Sequence, residues 1–246
     1  MKMGMKLRLF LMVLGLPIVA IAGIKEQPPH PPAFYQQIAE ATYHGREGQY
    51  SHLPSGWIMQ DRDEVKGPYG TDWHFYLYKN LITGEHIVGF RGSKDTRDVL
   101  VAGADQIDKV SKSMNKKLKK WSTQSGGTVS AYVGHSAGGL IASHVDHYGT
   151  EPFRITFNAY NPKRRLDNPR RIYLRVQGDP VSNFDTEKHI ALTCPGLTDY
   201  SKTKKVSNPK HPHALKTFGK IFKYPGCGTW FGAFGPWYFS YPLSRL

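Results

Sequence analysis

The segment in which a predicted strand, residues 128–134, turns directly into a predicted helix, residues 137–148, most constrains the fold of this chain. The turn reads Gly134-His135-Ser136-Ala137-Gly138, with a glycine on either side of the serine. Glycine has no Cβ, so this pair allows the backbone to fold back tightly. A strand that enters a helix through so short a turn predicts a parallel sheet, with Ser136 at the carboxyl end of its strand.

The elements around this turn predict the same fold class. Alternating or β-rich runs predict strands at 75–78, 86–90, 153–160 and 171–176, and apolar spacings of three and four predict helices at 34–43 and 98–121. Residues 45–70 are turn-rich and predict no definite element. Strands alternating with helices predict one α/β domain, with a mostly parallel central sheet flanked by helices, and 246 residues suit that size.

The N-terminus has the parts of an export signal. Basic residues come first, an apolar run over 9–22 follows, and Ala20-Ile21-Ala22 offers a small-x-small cleavage pattern. The run is shorter than the ~20 residues of a membrane-spanning helix. We therefore expect a cleaved signal peptide over 1–22 and a secreted protein. Without cleavage, the protein would be exported and membrane-associated.

The basic charge of the chain belongs to its mature part. The formal net charge is +14, and removing residues 1–22 takes away only Lys2, Lys6 and Arg8. Such a surface favours anionic partners, although solubility alone would also account for it. Because no nucleic-acid motif accompanies the charge, we expect an anionic membrane surface as partner and no nucleic acid. The oligomeric state stays open.

The two cysteines and the histidines of the helix predicted over 137–148 bear on covalent and metal chemistry. Cys194 and Cys227 form the only possible pair, and export would allow a disulfide between them. The chain has neither a C-x-x-C motif nor a zinc-type cysteine spacing. His144 and His147, beside Asp146, are more typical of a solvated helix face than of metal ligands. We expect no cofactor and no metal.

Ser136 is the candidate nucleophile. A strained turn between strand and helix lifts its hydroxyl to the sheet edge, and the N–H groups that begin the helix point toward developing negative charge. Two further segments, His86-Ile87-Val88-Gly89-Phe90-Arg91-Gly92-Ser93 and Val176-Gln177-Gly178-Asp179-Pro180-Val181, accompany it. With the elbow, they resemble the fungal-type (class 3) lipases of the α/β-hydrolase superfamily. The resemblance covers about residues 74–218.

The resemblance implies a role for each site residue. Ser136 would be the nucleophile, Asp179 the acid, and Ser93 and Ala137 the backbone donors of an oxyanion hole. The base must follow the acid in the chain, which leaves His189, His211 and His213. His213 is favoured because residues 213–218 resemble the family's H-x-x-x-x-[YF] segment. Asp167 and Asp185 are weaker candidates for the acid, because neither directly ends a predicted strand. Asp179 or Ser93 could instead simply cap a turn.

Together these features predict a serine carboxylic-ester hydrolase that acts on lipid esters, either a triacylglycerol lipase or a phospholipase A1-like enzyme, through an acyl-enzyme. The alternative is a catalytically inactive lipase-fold module that binds anionic membranes. The predicted order is signal peptide 1–22, proline-rich linker 23–33, catalytic domain 34–223 and aromatic C-terminal extension 224–246. The extension would either pack as a hairpin or touch membrane.

Overall fold

The computed structural model describes residues 27–45, 52–67, 72–93, 104–159, 170–175, 179, 190–191 and 213–223. The expected signal peptide 1–22 and aromatic extension 224–246 lie outside these ranges, as do Cys194, Cys227, His189 and His211. The predictions for these residues stay predictions. Within the described ranges, no helix is both long and apolar enough to cross a bilayer.

One mixed sheet organises the described chain. Its seven strands lie side by side in chain order: β1 (Trp57–Lys66), β2 (Asp72–Asn80), β3 (His86–Phe90), β4 (Val129–His135), β5 (Phe153–Phe157), β6 (Arg171–Arg175) and β7 (Ile190–Ala191). The first three strands pair antiparallel, and every pair from β3 onward is parallel. The expected mostly parallel sheet is therefore confirmed.

Helices cover both faces of this sheet. The described helices are α1 (Pro32–His44), α2 (Ala104–Gln124), α3 (Ala137–His144) and α4 (Lys216–Ile221). One apolar cluster joins α1 and α4 to one face, and a second joins α2 and α3 to the other. This three-layer arrangement confirms the predicted α/β class, with helices flanking a mostly parallel central sheet. Helix α1 begins inside the expected linker, because proline is tolerated in the first turn of a helix.

Helix α2 packs through the stripe that its sequence predicts. Five of the apolar residues whose spacing of three and four predicts this helix are almost fully buried: Ile107, Val110, Met114, Leu118 and Trp121. The lysines between them at 109, 112, 116, 119 and 120 are exposed. Since residues three and four apart share a helix face, the apolar spacing alone determines which side of α2 meets the sheet.

Strand β1 lies where the sequence predicted no definite element. A β-bulge between Met59 and Asp61 changes the face toward which its residues point. Met59 packs in the cluster with α1, whereas Asp61 beyond the bulge meets α2, where its carboxylate accepts a hydrogen bond from Trp121 Nε1 at 2.8 Å. Lys117 Nζ lies 3.3 Å from the carboxylates of both Asp61 and Asp63. Because acidic residues occupy inward-facing positions of β1, the sequence lacks the alternation of apolar and polar residues that would predict a strand.

Two predicted elements end earlier than expected, each for a local reason. Strand β5 stops at Phe157 because Asn158 takes a positive φ of 47°. Helix α3 stops at His144 because Val145 is extended. The Arg154 guanidinium then donates to the carbonyls of Ala142 and Val145 at 2.6 and 2.8 Å, satisfying groups that the helix end leaves without partners.

Candidate active site

Ser136 occupies a strained turn between β4 and α3. Its backbone has φ 56° and ψ −128°, a region that non-glycine residues rarely adopt. Its N–H donates to the carbonyl of Phe157 on the neighbouring strand at 2.9 Å, which holds the turn against β5. Strain that the surrounding structure maintains is typical of functional positions. Ser136 therefore has the backbone of a nucleophile elbow.

The two glycines of the elbow are required by close packing. A Cβ on Gly134 would overlap the carbonyl of Gly138, and a Cβ on Gly138 would overlap the carbonyl of Phe90. The first contact closes the turn upon itself, and the second brings the start of α3 against the end of β3. The spacing of glycines around Ser136 thus also positions the elbow beside the segment that contains Ser93.

His213 and Asp179 form a hydrogen-bonded pair across distant parts of the chain. His213 Nδ1 lies 3.0 Å from Asp179 Oδ1, and the Asp179 side chain is completely buried. A carboxylate can only accept, so Nδ1 carries the hydrogen and Nε2 is left as the basic nitrogen. Asp179 follows β6, and His213 lies just before α4. The structure therefore brings together two of the three residues predicted as the triad.

Ser136, His213 and Ser93 line one pocket of ≈ 370 Å³. The other residues along it are Glu40, Tyr43, His44, His135, Ala214, Leu215 and Lys216. This volume is within the ordinary range for small-ligand sites. Ala137 begins α3 and is buried beside Ser136. The first N–H groups of a helix have no acceptor within it, so the geometry suits an anion-stabilising donor there.

His135 is a site residue that the sequence did not single out. Its Nε2 lies 2.7 Å from the carbonyl oxygen of His213, and its Nδ1 lies 2.7 Å from the hydroxyl of Tyr43. Since the carbonyl only accepts, Nε2–H donates to it, and the Tyr43 hydroxyl donates to Nδ1. Burial, reinforced by nearby His213, lowers the pKa of His135 to about 3. His135 is therefore a neutral bridge that holds the backbone of His213.

Tyr43 connects this bridge to the Ser93 segment. Its hydroxyl also packs against Gly92, where a side chain would collide with it. Burial raises the pKa of Tyr43, so the phenol stays protonated and can donate to His135. A single hydroxyl from α1 thus contacts both the histidine bridge and the loop that follows β3. In sequence, Tyr43 and His135 are 92 positions apart, and no local pattern marks the contact.

No family model and no curated protein matches this chain. The solved structures similar to it include the following two. A triacylglycerol lipase from Penicillium expansum shares 16% identity, with 63% of this chain and 74% of that one covered and a TM-score of 0.42. Lip2 lipase from Yarrowia lipolytica shares 16% identity, with 66% and 78% covered and a TM-score of 0.44. At this level of similarity, the chemistry of this protein has to be inferred from the geometry of its own site.

Proposed function

We propose that the protein is a serine carboxylic-ester hydrolase that uses Ser136, His213 and Asp179. One observation carries the proposal. A serine held in a strained elbow shares a pocket with a histidine whose Nδ1 is bonded to a buried carboxylate. A nucleophile, a base and a group that orients the base are the parts that acyl transfer requires.

The proposed reaction proceeds in two halves. The Ser136 hydroxyl attacks the acyl carbonyl while His213 Nε2 takes its proton, and the same nitrogen then protonates the departing alcohol. Asp179 keeps the proton of His213 on Nδ1 and stabilises the imidazolium that forms. Water, deprotonated in turn by His213, then attacks the acyl-enzyme. The acid is released and Ser136 regains its proton.

The tetrahedral oxyanion is assigned to the backbone N–H groups of Ala137 and Ser93. Ala137 supplies the first N–H of α3, and Ser93 lies along the same pocket as Ser136. Removing one such donor costs roughly 10²–10³ in kcat in well-studied hydrolases. The contact of Tyr43 with Gly92 would help to position the segment that contains Ser93.

We propose lipid esters as the substrate class, either triacylglycerols or phospholipids cleaved in the manner of phospholipase A1. The support comes from the motifs shared with fungal-type lipases and from the basic charge of the chain. Anionic membranes attract nearby Lys and Arg side chains by about 1 kcal/mol each. Membrane association and secretion belong to the same proposal. The alternative is a catalytically inactive module of the same fold that binds anionic membranes.

Labelling with a fluorophosphonate, which reacts only with activated serines, tests the proposal directly. The wild-type chain should be labelled and should hydrolyse lipid esters, whereas Ser136→Ala should do neither while staying folded by circular dichroism. The matched control is Ser113→Ala, which removes an exposed serine from α2. A wild-type chain that is folded, unlabelled and bound to anionic vesicles would establish the binding module instead. Triacylglycerol and phospholipid panels, with products identified by position, would determine the substrate.

A further inference from the structure

Glu40, His44 and His52 form a cluster of potential metal ligands beside the catalytic pocket. One donor atom from each residue lies within 4.8 Å of the others, and all three residues are partly buried. Within the described part of the chain, this is the cluster of histidine, cysteine or acidic residues whose geometry suits a metal ion. The proposed mechanism uses none of the three.

The fold determines how these ligands meet. Glu40 and His44 are four positions apart on α1, so their side chains lie on the same face of that helix. His52 comes from the segment before β1, and its imidazole stacks on His44 with ring centroids 3.9 Å apart and planes 13° from parallel. The cluster therefore joins the C-terminal end of α1 to the beginning of the sheet.

The donor set is that of a divalent transition metal. Two imidazoles and one carboxylate supply three protein ligands, the number typical of zinc sites that keep a fourth position open. Zinc bonds of 2.0–2.1 Å in a tetrahedron place the ligand atoms about 3.3 Å apart. The ligand atoms, which lie within 4.8 Å of one another, would therefore move closer by up to about 1.5 Å. Because a metal lies in the plane of each imidazole that binds it, His44 or His52 would also have to turn out of the ring stack on binding. Magnesium prefers a set made of oxygen ligands alone.

A supporting contact orients the carboxylate. The side-chain amide of Gln36, one turn earlier on α1, donates to Glu40 Oε2 at 2.8 Å. Gln36 is itself buried, which restricts the orientations that its amide can take. Hydrogen bonds of this kind to the ligands are a regular feature of metal sites, because they align the ligand oxygen before the metal binds.

We propose that Glu40, His44 and His52 bind one Zn²⁺ ion per chain, in the wall of the pocket that contains Ser136. Glu40 and His44 line that pocket, so the metal would stand beside any ligand that enters it. The ion would also tie α1 to the segment before β1. Binding of the metal does not depend on ester hydrolysis.

Isothermal titration of the chelator-treated full chain with Zn²⁺ tests the site. We expect one Zn²⁺ per chain, little response to Mg²⁺ and a raised melting temperature with Zn²⁺. His44→Ala, His52→Ala and Glu40→Gln should each weaken zinc binding by at least about tenfold, the low end of what outer-sphere partners alone contribute. Ser136→Ala should bind zinc like the wild type, so a failure of the proposed catalysis would leave this result unchanged.

The matched control is His147→Ala, which removes an exposed histidine outside the cluster. It should leave the affinity for Zn²⁺ unchanged. The proposal is overturned if the wild type takes up no zinc, or if the control loses as much affinity as the cluster variants. Circular dichroism of each variant verifies that it is folded. If a substitution in α1 unfolds the chain, His52→Ala still tests the site, because His52 is not part of α1.

Discussion

His135 and His213, whose ring centroids lie 4.9 Å apart, have different roles in this protein. His135 is buried, both of its ring nitrogens have partners, and its pKa is lowered to about 3. His213 is 20% exposed, has Asp179 on one nitrogen and faces the pocket of Ser136. Burial and hydrogen-bond partners, rather than residue type, thus separate a structural histidine from a candidate base. Substitutions at each position can test this distinction.

Replacing His213 should have the largest effect on activity. We expect His213→Ala to lower kcat by about 10⁶-fold, because the variant lacks the group proposed to take the serine proton. Its stability should also fall, because the completely buried Asp179 carboxylate loses the hydrogen bond that His213 donates. Steady-state kinetics against a soluble ester would measure the loss. The controls are His211→Ala and His189→Ala, which replace the other two candidates for the base. A comparable loss of kcat in either control would mean that this histidine, rather than His213, is the base.

Replacing Asp179 should have the next largest effect. Asp179→Asn keeps the size of the buried side chain, but the amide can present a hydrogen to Nδ1 and shift the imidazole to the wrong tautomer. We expect kcat to fall by about 10⁴-fold at nearly unchanged KM. An activity close to that of the wild type would show that Asp179 only caps a turn, the alternative that the sequence left open.

Replacing His135 should affect stability more than chemistry. His135→Phe keeps an aromatic ring but leaves the Tyr43 hydroxyl and the His213 carbonyl without their buried partner. Each such group costs about 1–3 kcal/mol, so we expect the free energy of unfolding to drop by roughly 2–6 kcal/mol. Urea titration would measure the drop. A variant as stable as the wild type, with a kcat as low as that of His213→Ala, would contradict the structural role.

The loss of folding stability at acid pH should also distinguish His135 from His213. The pKa of His135 is about 3 in the folded chain, against about 6.5 for an unperturbed histidine, so between these values only the unfolded chain binds the proton. Stability is therefore lost as pH falls below about 6.5, by about 1.4 kcal/mol per pH unit. Between pH 7 and 5, the wild type should lose about 2 kcal/mol more than His135→Phe. Equal losses would mean that His135 is protonated when folded.

The sequence determined the elements whose patterns are local. The apolar stripe of α2 repeats every three or four residues, and the elbow glycines stand next to Ser136, so both could be recognised without knowing their neighbours. The F-R-G-S segment and the acidic strand end were likewise readable, and they led to Ser93 and Asp179 as predictions. Among three histidines, only a motif favoured His213. The structure places it against Asp179.

The tertiary structure decided what depends on distant contacts. Strand β1 could not be predicted because its inward positions include Asp61 and Asp63, whose charges are compensated by Lys117 of α2. The roles of His135 and Tyr43 were hidden for the same reason. In sequence, His135 only fills the variable position of an elbow, and Tyr43 is one aromatic of a short helix. Only folding brings the hydroxyl, the imidazole and the carbonyl of His213 together, because hydrogen bonds depend on distance in space and leave no periodic trace along the chain.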